Sequence, residues 1–146
     1  IPMLSLVLTL DHRRLEELTE RFIESPDQLV YNEIRNAFTT HIYWEEEFLF
    51  PKVNAFLAIL RALEIEHGSM WLLLDKVKEN LDNNNVEVAK EKMREFMRVM
   101  LEHDGAEEGS VYQQLDNMTD EEQAMLILEV IKIANPPKEW KCKALR

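Results

Sequence analysis

Two short breaks, Ser25-Pro26-Asp27 and Asp82-Asn83-Asn84-Asn85, divide a chain that otherwise has little to stop a helix. Gly and Pro, the residues that interrupt helices most strongly, number only 3 and 5 in 146, while Leu, Glu, Lys, Met and Ala abound. Long helices packed on one another are the architecture this leaves open. The sequence predicts four, over residues 3–24, 28–50, 55–81 and 86–117. Pro2 suits a first helical turn, Asp27 is placed to cap the second helix, and residues 51–54 end it. A shorter fifth helix is expected over 120–134. Thr119-Asp120-Glu121-Glu122 opens it as a capping box with Glu122 reaching back, and Asn135-Pro136-Pro137 closes it. The expected fold is all-α, an up-down-up-down four-helix bundle with a short fifth C-terminal helix. Residues 1–135 form this domain, and residues 136–146 form a C-terminal arm packed by Trp140.

Charge and cysteine content narrow the partners. A net charge of −11 argues against nucleic acid, whose phosphates require a surplus of Lys and Arg, and is compatible with a site that holds cations. The single cysteine, Cys142, forms neither an internal disulfide nor a thiolate cluster, and points to a reducing, cytoplasmic setting. The apolar opening IPMLSLVLTL is too short for a membrane span and runs straight into Asp11 and His12, without the basic region or cleavage site of a secretory signal. No membrane partner is expected.

The four histidines decide the rest. Each long helix holds one: His12, His41, His67 and His103. Residues equidistant from a turn share a height in an antiparallel hairpin. With turn centres near 26, 54 and 85, His12 and His41 stand 14 and 15 residues from the first, His41 and His67 each 13 from the second, and His67 and His103 each 18 from the third. The mismatch is at most about one residue, or 1.5 Å of helix rise, so all four share one layer. Helices two and four run the same way, so Glu45 and Glu107, each four residues after a histidine, lie one turn, about 6 Å, to the same side. Helices one and three place Leu8 and Leu63 at that level. Two buried carboxylates without a cation would cost several kcal/mol. His12, His41, Glu45, His67, His103 and Glu107 are therefore expected to face inward as ligands of a dinuclear metal site.

Neighbouring residues carry weaker expectations. Glu46 and Glu47 point away from the His41–Glu45 face, and are expected to be solvated or to support a ligand from outside. Asp11, Glu66 and Glu102 each precede a histidine; one or two of them can orient an imidazole, with a surface position the default for each. Trp71, one turn after His67, is expected to close the end of the site opposite the Glu layer, whereas Tyr43 and Tyr112 fall off the ligand face by helical angle. Met93, Met97 and Met100 pack with Phe96. Gly105 and Gly109 are costly inside a helix, which for Gly105 suggests close approach of a neighbour or local fraying. The fifth helix, apolar on more than one face, is taken as a cover for the bundle, giving a monomer or a weak dimer.

The segments D-H-R-R-L, H-I-Y-W-E-E-E-F-L-F-P, E-H and H-D-G-A-E-E occur in that order on the four helices. In this order H, HxxxE, H, HxxxE, over residues 5–112, the chain resembles the hemerythrin-like, or HHE cation-binding, family. The resemblance implies a four-helix bundle around a non-haem di-iron centre bridged by two carboxylates and a solvent-derived oxo or hydroxo group. It assigns His12 and His41 to one ion, His67 and His103 to the other, and Glu45 and Glu107 as bridges. Two positions depart from the oxygen-carrying hemerythrins. Trp71 stands where those have a further histidine, and Glu107 lies four residues after His103 where they have an aspartate five after. The pattern is nearer the branch containing di-iron proteins of iron–sulfur cluster repair and the iron-sensing domain of an F-box protein.

The nitrogen and oxygen donors suit iron, manganese or zinc; two iron ions follow from the resemblance. The leading expectation is a hemerythrin-like protein that binds or reacts with a small oxidant or diatomic, O2, NO or peroxide, in sensing or stress defence. The alternatives are an iron-handling module, for storage, donation, cluster repair or iron sensing, and a structural metal site in an interaction domain.

Overall fold

The computed structural model describes residues 3–53 and 57–146, among which helices are the one kind of regular structure and no strand occurs. Four helices form the bundle: α1 (Met3–Glu24), α2 (Gln28–Trp44), α3 (Leu57–Asp82) and α4 (Val86–Gly109). Two shorter helices follow, α5 (Val111–Met118) and α6 (Glu121–Ile133), and a 3-10 turn lies over Lys143–Leu145. Helix α1 packs on α2 and α4, and α3 packs on the same two, which closes a ring in the order α1, α2, α3, α4. Among the described residues no helix is long and apolar enough to cross a membrane. The expected helix start at Ala55, the turn centre at Asn54 and the placing of Pro2 lie outside the described residues.

Each bundle helix buries one stripe. On α3 it is Leu60, Leu63, His67, Met70, Leu74 and Val77; on α4 it is Ala89, Met93, Phe96, Met100, His103 and Glu107. These are the three- and four-residue steps of an amphipathic helix. The apolar residues form two separate clusters. One gathers Phe22, Ile34, Phe38, Leu74, Met93 and Phe96; the other gathers Leu4, Leu8, Leu49, Leu63, Val111 and Leu115. The layer between them is polar. Each large apolar side chain so buried contributes about 1.5–3 kcal/mol, which lets the fold carry a charged layer at its centre.

Three boundaries differ from the sequence expectation. Helix α2 keeps α geometry only to Trp44 and continues as a π turn, Glu45–Leu49, and a 3-10 turn, Phe50–Lys52. Pro51 has no N–H and its ring would meet the carbonyl four residues back, so the chain leaves α geometry before it. The expected helix 86–117 is two helices, broken where Ser110 adopts φ −135° and ψ −74°. The last helix is capped by Asp120 and Gln123 rather than Thr119 and Glu122: the Asp120 side chain accepts from Gln123 N at 2.8 Å, and Gln123 Oε1 accepts from Asp120 N at 3.1 Å. Asp27 caps α2 as expected, accepting from Leu29 N.

Helix α6 covers the Leu4–Leu8 end with Ala124 and Ile131, and leaves Met125, Leu126, Val130 and Ile133 exposed. The arm returns to α3. Trp140 packs near Tyr43 and Trp71, and Cys142 is buried in the first cluster.

Candidate metal centre

The six predicted donors meet between the two apolar clusters. His12, His41, His67 and His103 are 2%, 4%, 0% and 3% exposed, and Glu45 and Glu107 are fully buried. Among the described residues they form two groups, His12–His41–Glu45–Glu107 and Glu45–His67–His103–Glu107, in each of which the donor atoms lie within 4.8 Å of one another. Both carboxylates belong to both groups, as bridges between two ions would.

Inside the layer, His12 Nε2 stands 3.1 Å from Glu107 Oε1, and His41 Nε2 stands 3.1 Å from Glu45 Oε2. His103 Nε2 lies 3.2 Å from Glu107 Oε2, and His67 Nε2 lies 3.1 Å from Glu45 Oε1. Every Nε2 is directed inward because every Nδ1 is engaged outside. His41 Nδ1 donates to Asp11 at 2.7 Å, His67 Nδ1 to Glu46 at 2.7 Å, His103 Nδ1 to Glu66 at 2.6 Å and His12 Nδ1 to Glu108 at 2.7 Å. Such partners fix ring orientation and leave the other nitrogen free for a metal.

The four carboxylates form a closed circuit: α1 grips α2, the π turn after α2 grips α3, α3 grips α4, and α4 grips α1. Helical handedness explains it. Successive residues turn by about 100°, and reversing the helix direction reverses the sense of that turn as seen from one end of the bundle. On α1 and α3 the carboxylate precedes a ligand (Asp11 before His12, Glu66 before His67). On the oppositely running α2 and α4 it follows one (Glu46 after Glu45, Glu108 after Glu107). All four therefore point the same way around the bundle, each at the next helix's histidine. Of the three acids that precede a histidine, two spend an oxygen on an imidazole, Asp11 on His41 and Glu66 on His103; Glu66 still keeps 42% of its side chain exposed, and Glu102 is exposed. Glu108 was not singled out in the sequence, although its place beside Glu107 was the available signal.

The layer fits a metal by what it leaves unmatched. Glu45 Oε1, His67 Nε2 and Glu107 Oε2 are buried without a hydrogen-bond partner of proper geometry, although Glu45 Oε1 and His67 Nε2 are close. Unmatched buried donors and acceptors that converge on one volume are what a bound ion would satisfy. Without one, protons take its place. Burial opposes charge on His103, but Glu107 outweighs burial and lifts the imidazole to about 9. His41 is likewise raised well above its ordinary range, against burial, chiefly by Glu45. Burial pushes Glu107 upward, yet His103 brings it well below the usual carboxylate range.

Two more groups join the layer. Burial, a hydrogen bond with Glu16 and the charge of Glu107 raise Asp104 to about 9, and its Oδ1 lies 3.3 Å from His12 Nε2. Tyr112, expected off the ligand face, is buried in it: its hydroxyl donates to Glu45 Oε2 at 2.6 Å. In an unbroken helix Tyr112 would sit about 140° around from Glu107. The break at Ser110 re-aims it, and the Gly109-Ser110 pair was its trace in the sequence.

Trp71 does not close the site. Residues three and four after His67 straddle its direction, and packing turns Met70 inward. Trp71 lies instead under the Arg35 guanidinium at 4.7 Å and beside Trp140. A cavity of about 10 Å³ adjoins the donors, with Leu15, Phe38, Met70 and Met100 in its wall; it is on the scale of a single water molecule.

The family model of the hemerythrin HHE cation-binding domain matches residues 4–115. The chain belongs to this family. No curated protein and no solved structure was found to match. The match spans all of α1 to α4 except Met3 and most of α5, so the HHE domain as matched contains all six donors, their four carboxylate partners and Tyr112.

Proposed function

We propose that this HHE domain holds two non-haem iron ions and uses them to bind or react with a small oxidant or diatomic, O2, NO or peroxide, in sensing or stress defence. One observation carries the reading: two donor groups share Glu45 and Glu107 while each keeps two imidazoles of its own. His12 and His41 would hold one ion, His67 and His103 the other. Iron bound there would supply redox chemistry. The chain's own part is to hold all four imidazoles in one tautomer through Asp11, Glu46, Glu66 and Glu108, and to restrict access. The cavity beside the donors, on the scale of a single water molecule behind an apolar wall, supports a very small ligand over any larger substrate. The buried Cys142 is compatible with the cytoplasm as the setting.

The test is anaerobic loading of the stripped chain with ferrous iron, elemental analysis, and exposure to O2, NO and peroxide in turn. The reading expects two irons per chain and an absorption spectrum that changes with at least one of the three. Rapid transfer of iron to an acceptor protein, with a spectrum indifferent to all three, would favour iron handling instead.

A further inference from the structure

We propose that Tyr112 is itself a metal ligand, its phenol oxygen completing the coordination of the ion held by His12 and His41. The inference rests on the reading that the layer holds iron, and adds a donor outside the H, HxxxE, H, HxxxE set.

The argument is the shape of the contacts around one oxygen. Tyr112 Oη stands 2.9 Å from His12 Nε2, 3.0 Å from His41 Nε2, 2.6 Å from Glu45 Oε2 and 3.4 Å from Glu107 Oε1. Those four residues are one of the two groups able to hold an ion. In an octahedral shell with bonds of about 2.1 Å, adjacent donors stand about 3.0 Å apart, and each vertex is adjacent to four others. The distances from the phenol oxygen bracket that spacing, and its four neighbours are the four donors of a single ion. Edges of the base agree, at 3.1 Å for His12 to Glu107 and 3.1 Å for His41 to Glu45. A tyrosine that merely supported Glu45 would need one contact. This one has the place of an apex over a four-membered base.

The other group, Glu45–His67–His103–Glu107, receives no such oxygen, since the hydroxyl contacts neither His67 nor His103. The two ions are therefore inequivalent. Tyr112 belongs to the apolar cluster of Leu4 and Leu8, whereas Leu15, Phe38, Met70 and Met100 of the cavity wall belong to the other. The phenol closes one side of the layer and leaves the cavity side for a small ligand. On coordination the O–H bond breaks, the oxygen keeps the electron pair and donates it to the ion, and the proton is released; nothing is oxidised or reduced.

The experiment loads the full chain with ferrous iron, oxidises it in air, and records iron content, visible absorption and resonance Raman spectra together. The expected result is two irons per chain with a phenolate-to-ferric charge-transfer band and enhanced tyrosine ring vibrations. Tyr112→Phe, which keeps the ring, should lose both signals while still binding iron; Tyr43→Phe and Tyr31→Phe should keep them. Growth on ring-deuterated tyrosine should shift the enhanced vibrations in the unmodified chain, so the signature is readable even if the Tyr112→Phe chain folds poorly. Full iron content without the phenolate signature, or a signature that survives Tyr112→Phe, would overturn this proposal and leave the di-iron reading intact. Failure to take up iron would overturn both.

Discussion

Glu46 and His67 are joined at 2.7 Å through Nδ1, and the second oxygen of the same carboxylate accepts the Lys143 amide at 2.8 Å. One side chain thus orients a metal-facing imidazole and anchors the C-terminal arm. Glu46→Ala releases both. Outer partners of this kind typically carry 10–100-fold in metal affinity, so chelator competition should show a loss of about that size in the substituted chain, with a change in Trp140 fluorescence as the arm loosens. Equal affinity in both chains would mean that His67 is held by packing alone.

Glu45 and His12 differ in how many ions they serve. Glu45 belongs to both donor groups and His12 to one. Glu45→Ala should lower metal content to one ion or none, whereas His12→Ala should leave the Glu45–His67–His103–Glu107 group able to keep its ion. Elemental analysis after gel filtration separates the cases. Two tightly held ions in the Glu45→Ala chain would show that this carboxylate is no bridge.

Much of this was legible in the sequence, because a four-helix bundle turns position along the chain into height. His12, His41, His67 and His103 could be levelled by counting from the turns, and Glu45 and Glu107 followed from the one-turn rule. What escaped depended on a local break in helix geometry, on side-chain packing and on the order of the helices. Tyr112 was misplaced because α4 was extended through Ser110, and Trp71 because counting does not choose between three and four residues after His67. The carboxylate circuit needed the order of helices around the bundle, which residue spacing does not supply.

The metal-free chain should show a window of maximum stability. His103 is raised to about 9 against an ordinary 6.5, so its ion pairing with Glu107 is fully present below 6.5 and is lost as pH rises through about 9. That loss is on the order of 3 kcal/mol. Glu107 is lowered from 4.5, so its contribution is present above 4.5 and lost as pH falls through its lower native value. Asp104, raised to about 9 from 3.8, works the other way: its carboxyl holds its proton more tightly in the folded chain, so stability falls as pH rises from about 3.8 towards 9. Urea melts of the stripped chain should therefore give the highest midpoint near 4.5, with a decline as pH rises from there. Metal must displace the same His103 proton, so apparent affinity should keep rising with pH up to about 9, beyond the range of a free imidazole. An affinity that levels off near 6.5 would show that His103 carries no such proton.

Two glycines should respond to alanine differently. Nothing lies within 4 Å of a Cβ built on Gly105, which is exposed on α4. No close approach accounts for it, so Gly105→Ala should stabilise the chain by up to about 1 kcal/mol through helix propensity. Gly68, buried on α3 beside His67, is different: its Cβ would come within 2.9 Å of Ala144 Cβ in the arm. That atom is fixed to the backbone of a 3-10 turn and cannot swing aside, so the arm itself must shift. Overpacking costs about 1–3 kcal/mol, which meets or exceeds the propensity gain. Gly68→Ala should therefore be neutral to destabilising by up to about 2 kcal/mol, and should disturb Trp140 fluorescence where Gly105→Ala does not. Thermal melts of the two chains, read by circular dichroism and by tryptophan emission, test both responses at once. A stabilised Gly68→Ala chain with unchanged emission would mean that the arm does not rest on α3 in solution.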